Sequence, residues 1–145
     1  MPLAVGTDAP AFTVKDTNGN NVSLSDLAGK TVVLYFYPKD DTPGCTKQAC
    51  SFRDASVDYQ GKDIVVLGVS VDDETSHQQF TEKYNLNFPL LADTEKTMIK
   101  AYEVDGGGKA QRVTYVIDGN GKIIHVDASV NTGSHASDVL AAIGL

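Results

Sequence analysis

Cys45 and Cys50 are the only cysteines in the chain, and both lie in the run Tyr37-Pro38-Lys39-Asp40-Asp41-Thr42-Pro43-Gly44-Cys45-Thr46-Lys47-Gln48-Ala49-Cys50. An apolar stretch precedes this run and a helix-compatible one follows it. Pro43-Gly44 therefore reads as the turn into a helix, with Cys45 in its first turn. There the free backbone N–H groups and the positive end of the helix dipole stabilise a thiolate, the nucleophilic form of the side chain. In an unbroken helix a spacing of five residues means about 7.5 Å of rise and about 140° of rotation, which sets the Cα atoms about 8.7 Å apart. A disulfide needs them within about 7 Å. If the two cysteines pair, the helix must first unwind locally, and redox chemistry would be coupled to a change of conformation.

The elements that must position these residues can be read along the chain. Phe12–Val14 and Asn21–Ser23 flank the turn-rich Asp16-Thr17-Asn18-Gly19-Asn20 and read as an N-terminal β-hairpin. Thr31–Phe36 has no polar alternation and reads as a central strand covered on both faces. Gln48–Tyr59 is helix-compatible and stops near Gly61; Ile64–Ser70 is a second continuous apolar strand. Acids at Asp72, Asp73 and Glu74 open a helix to about Tyr84. A short strand at Phe88–Ala92, a helix at Glu95–Tyr102 and a flexible Gly106-Gly107-Gly108 loop follow. Gln111–Ile117 and Lys122–Val126 form a hairpin around Asp118-Gly119-Asn120-Gly121, and a last helix runs from Ser134 to Ile143, with Ser134 and Ser137 as alternative N-caps. This order describes an α/β chain with a central mixed sheet flanked by helices, and it is similar to a thioredoxin-like fold. The Cys-x-x-Cys of thioredoxin itself is absent.

Composition excludes several functions. The 145 residues, 41% of them apolar, suit a single domain over 1–145 with one ordinary core. Twelve basic against 19 acidic residues give a net charge of −7, and no basic run offers itself to nucleic acid or to an anionic membrane. No leader is apparent at Met1–Gly6, and no apolar stretch approaches the roughly 18 residues that span a bilayer. A cytoplasmic protein is expected. In a reducing compartment a lone cysteine pair points to catalysis or redox sensing rather than to a structural staple.

Two cysteines with two of His77, His125 and His135 could hold zinc, but the histidines share no ligand spacing and each reads as a surface or hairpin residue. No metal and no cofactor are expected. A copper-delivery protein of similar fold would be expected to show Cys-x-x-x-Cys, one residue shorter than the spacing here. The chain has two arginines. Arg53 lies eight residues from Cys45 along the helix and reads as solvated, whereas Arg112 begins an otherwise apolar strand, where a charge demands a partner.

The form Pro-x-x-x-Thr-x-x-Cys at Pro38, Thr42 and Cys45 resembles the peroxiredoxins. With Cys50 five residues on, the chain is similar over nearly its whole length to the bacterioferritin comigratory protein subfamily, also called peroxiredoxin Q. The resemblance implies reduction of hydrogen peroxide and organic hydroperoxides, commonly at the expense of thioredoxin, and it leans towards a monomer. Cys45 would be the peroxidatic cysteine, oxidised to a sulfenic acid, and Cys50 the resolving cysteine that condenses with it to an intramolecular disulfide. Thr42 would supply a hydroxyl to the thiolate or peroxide, Pro38 would shield the pocket, and Arg112 would be the family arginine. Cleavage of an O–O bond develops negative charge on the leaving oxygen, and the Cys45 amide, the Thr42 hydroxyl and a guanidinium are donors suited to it. A protein-disulfide reductase or redox sensor is the alternative. It would need neither Thr42 nor Arg112, because thiol–disulfide exchange develops no such charge.

Overall fold

The computed structural model describes residues 2–144. Thr13–Lys15 (β1) and Asn21–Ser23 (β2) pair antiparallel as a small sheet of their own, followed by a 3₁₀ turn at Leu24–Leu27 that sequence reasoning did not anticipate. The main sheet contains Thr31–Phe36 (β3), Ile64–Ser70 (β4), Leu90–Ala92 (β5), Val113–Ile117 (β6) and Ile123–Asp127 (β7), in the spatial order β5-β4-β3-β6-β7. β3 runs parallel to β4 and antiparallel to β6, so the sheet is mixed as expected.

The uninterrupted apolar sequence of β3 follows from its central place. Successive side chains point to opposite faces, and both faces are covered. Val32, Leu34 and Phe36 join a core with Phe12, Met98, Ile99 and Tyr102. Val33, Tyr35 and Tyr37 join the other, with Cys45, Ala49, Phe52, Phe80 and Val139. The second core is roofed by Pro43–Asp54 (α1), Ser56–Gly61 (α2), Glu74–Tyr84 (α3) and His135–Ala142 (α5); the first is closed by Thr97–Ala101 (α4) and the N-terminal segment.

One glycine is required by this packing. Gly68 of β4 lies opposite Tyr35 of β3, and a Cβ there would come within 2.8 Å of the Tyr35 ring and of Leu90. Without it the Tyr35 ring is free to lie flat and stack on Phe52 of α1, with centroids 4.9 Å apart and planes 18° from parallel. The helix that carries both cysteines is thereby seated on the central strand.

Several boundaries differ from the sequence reading. The cysteine helix starts at Pro43, with Cys45 in its first turn as expected and ahead of the helix-compatible stretch from Gln48, because proline has no N–H to lose at the first helical position. It breaks at Ala55 into α1 and α2, and nothing in the local sequence marks that break. β5 starts after Pro89, which cannot donate to a ladder. α4 is shorter than expected at its N-terminal end because the Asp93 carboxylate accepts from the Met98 and Ile99 amides and draws the chain into a turn before Thr97. Ser134 rather than Ser137 precedes α5, although its hydroxyl donates to Asp138 instead of capping an amide.

Candidate active site

Thr42 is the N-cap residue of α1, with extended backbone, and Cys45 is the third helical residue. The first helical bond of α1 runs from the Thr46 amide to the Thr42 carbonyl at 2.8 Å. The Gly44 and Cys45 amides are thus left among the unpaired donors of the first turn, as the sequence implies. Pro43 is exposed, but Cys45 is only 1% exposed, because its side chain turns inward onto Val33, Tyr35, Tyr37 and Ala49. Cys50, five residues and about one and a half turns further on, is half-buried, and both thiols are free. With both on one continuous helix, the separation worked out from helix geometry stands.

Arg112 reaches this cysteine across the fold. Phe36, the last residue of β3, pairs with Val113, the first of β6, in antiparallel register. Arg112 therefore stands beside the segment that leaves β3 and enters α1. Its Nη2 donates to Cys45 Sγ at 3.3 Å, and its Nη1 donates to Gln48 Oε1 at 2.7 Å. Gly44 makes room for it, since a Cβ at that position would lie 3.1 Å from Arg112 Nη2. Arg53 is not part of this group: it donates from Nη1 to the Tyr84 carbonyl at 2.6 Å and from Nε to Asp54, tying α1 to the end of α3.

Gln48 was missed from sequence. It is completely buried, its Oε1 orients the guanidinium, and its Nε2 has no hydrogen-bond partner. Its position three residues after Cys45 on a helix, which places the two on one face, is the signal that could have found it. Pro38 is half-buried immediately after β3 and Tyr37, and Thr42, three residues before Cys45, is half-buried as well. The Thr42 hydroxyl donates to the Lys39 carbonyl at 2.9 Å.

The histidines correct another expectation. His77 and His135 are completely buried, and only His125, on β7, belongs to the hairpin. His77 Nδ1 lies 2.7 Å from Asp40 Oδ2 and its Nε2 lies 2.9 Å from the Leu91 carbonyl. His135 Nε2 bonds Thr114 Oγ1 at 2.7 Å; burial lowers its pKa, with Asp127 as the largest opposing influence. Burial first, then the Asp40 carboxylate, pushes the Tyr35 phenol well above its ordinary value, so the ring over Gly68 stays neutral.

A reactive-position thiol at a helix N-terminus, a guanidinium on its sulfur and a second thiol five residues away are the parts of a thiol redox centre. Residues 5–126 match the model of the AhpC/TSA family. The chain belongs to the AhpC/TSA family. It is 40% identical to the protein named peroxiredoxin Bcp of Bacillus subtilis, with 99% of this chain and 96% of that one covered. Among solved structures it is similar to peroxidoxin BcpB of Mycobacterium tuberculosis, with a TM-score of 0.90, 32% identity and 97% and 96% of the two chains covered. It is also similar to the bacterioferritin comigratory protein of Xanthomonas campestris, solved in work on alkyl peroxide reduction activity, with a TM-score of 0.85, 30% identity and 91% and 89% covered. The fold is that of these thioredoxin-like peroxiredoxin structures, and peroxidase chemistry, an oxidoreductase activity, comes with the family. Among the described residues no helix is long and apolar enough to cross a membrane.

Proposed function

We propose that this chain reduces hydrogen peroxide and organic hydroperoxides at Cys45 and is recycled through Cys50 by a dithiol such as thioredoxin. The observation that carries the assignment of Cys45 is the Arg112 Nη2 donor 3.3 Å from its sulfur, at a helix N-terminus. The Cys45 thiolate attacks the distal peroxide oxygen. The O–O bond breaks, the oxygen transferred becomes a sulfenic acid, and the other leaves with a proton as water or an alcohol. Arg112 and the free amides at Gly44 and Cys45 face the charge that develops in this step. Thr42 joins them by turning its hydroxyl away from the Lys39 carbonyl, a bond at the exposed face of the loop, and Pro38 keeps water from the pocket.

Cys50 then attacks the sulfenic sulfur, a disulfide forms and water is released. The helical separation requires the first turns of α1 to open for this step. An external dithiol reduces the disulfide and restores both thiols, which fits a reducing compartment such as the cytoplasm. No metal or cofactor enters. Arg112 reaches both Cys45 and Gln48 within one chain, which supports a monomer working as a single domain.

The test is peroxide-dependent NADPH oxidation in a coupled thioredoxin and thioredoxin-reductase assay, with hydrogen peroxide compared against bulkier hydroperoxides. Wild type turns over and Cys45→Ser does not. Turnover by Cys45→Ser would move the nucleophile elsewhere, and disulfide exchange without peroxide turnover in wild type would favour the redox-sensor alternative.

A further inference from the structure

The loop between β3 and α1, which carries Pro38 and Thr42, is fastened to the rest of the molecule through a buried polar group that the reaction itself does not use. Asp40 is almost fully buried, and its carboxylate takes three donors: the Tyr37 hydroxyl on Oδ1, and the Ser76 hydroxyl at 2.8 Å and His77 Nδ1 at 2.7 Å on Oδ2. The backbone amide of Asp40 donates to Asp72 Oδ2 at 2.8 Å, and Asp72 Oδ2 is itself held by the Ser70 hydroxyl at the end of β4. His77 has no freedom in this arrangement. Its ring is completely buried, with Nε2 facing the Leu91 carbonyl of β5 at 2.9 Å and Nδ1 facing Asp40 Oδ2 at 2.7 Å, so both ring nitrogens are engaged. The imidazole is therefore a strut from the main sheet to the loop.

The next residue, Asp41, adopts the left-handed backbone region with φ of 59°. A non-glycine residue is held there only where its surroundings over-determine it. Asp41 is fastened at the surface, its carboxylate accepting from Lys83 Nζ at 2.8 Å and from the Tyr84 hydroxyl at 2.9 Å. The two ends of α3 thus grip consecutive loop residues. Only the His77–Asp40 end is shielded from water, so it is the end that holds its geometry best.

We propose that His77 is a positioning residue for peroxide reduction, acting through Asp40 to fix the Pro38–Thr42 loop that leads into the N-terminus of the Cys45 helix. The proposal rests on Cys45 being the peroxide-attacking thiol. A donor displaced by about 1 Å can cost on the order of 100-fold in rate even when the change lies away from the chemistry. Loosening the strut should therefore slow attack on peroxide. It should leave condensation of Cys45 with Cys50 unaffected, because that step occurs after the first turns of α1 have opened.

The experiment compares wild type, His77→Gln, Asp40→Ala, the double variant and Cys45→Ser, each shown to be folded by circular dichroism and assayed well below its unfolding midpoint. The rate of Cys45 oxidation is read by competition with a haem peroxidase of known rate, and disulfide formation from the sulfenic acid is read separately by quenched mass spectrometry. Expected are a loss of about 10- to 100-fold in the peroxide step for His77→Gln, an unchanged disulfide step, and a double variant no slower than the slower single one. A His77→Gln rate within about threefold of wild type, equal slowing of both steps, or additive losses in the double variant would each overturn the proposal. If Cys45→Ser kept turning over, the reading of the nucleophile would fail instead. Should His77→Gln not fold, Ser76→Ala removes one partly buried donor to Asp40 and must slow the same step alone.

Discussion

Arg112→Lys keeps the charge at the site and removes the fork. In the structure one guanidinium serves two acceptors at once, Cys45 Sγ at 3.3 Å through Nη2 and Gln48 Oε1 at 2.7 Å through Nη1. The Gln48 bond is what aims the other nitrogen at sulfur. A lysine ammonium is a single point on a shorter, freely rotating stem and cannot occupy both positions. The change therefore deletes one charge-assisted hydrogen bond, worth about 1.5–3 kcal/mol. At about 1.4 kcal/mol per tenfold change in rate, the peroxide step should slow by about 10- to 150-fold. Arg112→Met, which removes the charge as well, should be slower again. The assay is competition for peroxide against a haem peroxidase of known rate, which needs no tryptophan signal from a chain that has none. Circular dichroism confirms that the variants are folded. An Arg112→Lys rate within about threefold of wild type would refute the argument, since it would show that charge alone suffices and that the bidentate placement is incidental.

Three further outcomes are expected. Peroxide-treated wild type should exchange amide hydrogens faster than reduced protein across roughly Thr46 to Ser51, with protection returning near Phe52, which four rings hold in place; Cys50→Ser should stay protected and stop at a dimedone-reactive sulfenic acid, and unchanged exchange in oxidised wild type would rule out the unwinding step. Gly44→Ala should slow the peroxide step about three- to tenfold without lowering the unfolding midpoint, because the new methyl crowds Arg112 Nη2 at 3.1 Å while removing a helix glycine; a full rate would show that the guanidinium tolerates displacement. His135 is buried and its pKa is lowered in the fold, so its contribution to stability is present above the unfolded value of about 6.5 and is lost as pH falls through the folded value. His135→Asn should accordingly flatten the fall in unfolding midpoint between about pH 7 and pH 5, and an identical pH dependence in both proteins would remove that assignment.

Most of what depends on neighbours along the chain could be read from the sequence. The continuous apolar runs at Thr31–Phe36 and Ile64–Ser70 announce strands covered on both faces, Pro43-Gly44 announces a helix start with Cys45 in its first turn, and Asp118–Gly121 announces the hairpin. Each is a short-range rule of backbone sterics or hydrogen bonding, readable without knowing what packs where. The break at Ala55 shows the limit even at this range, since α1 and α2 carry a composition that would suit one helix. Tertiary structure alone decided the encounter of Cys45 with Arg112, 67 residues apart, because it follows from the antiparallel pairing of β3 with β6 and no local pattern states which strands become partners. Burial was decided in the same way. Periodicity tells which face a side chain takes, but only the elements laid over that face make Cys45, Gln48, His77 and His135 interior while His125, a histidine like the others, stays on a hairpin strand.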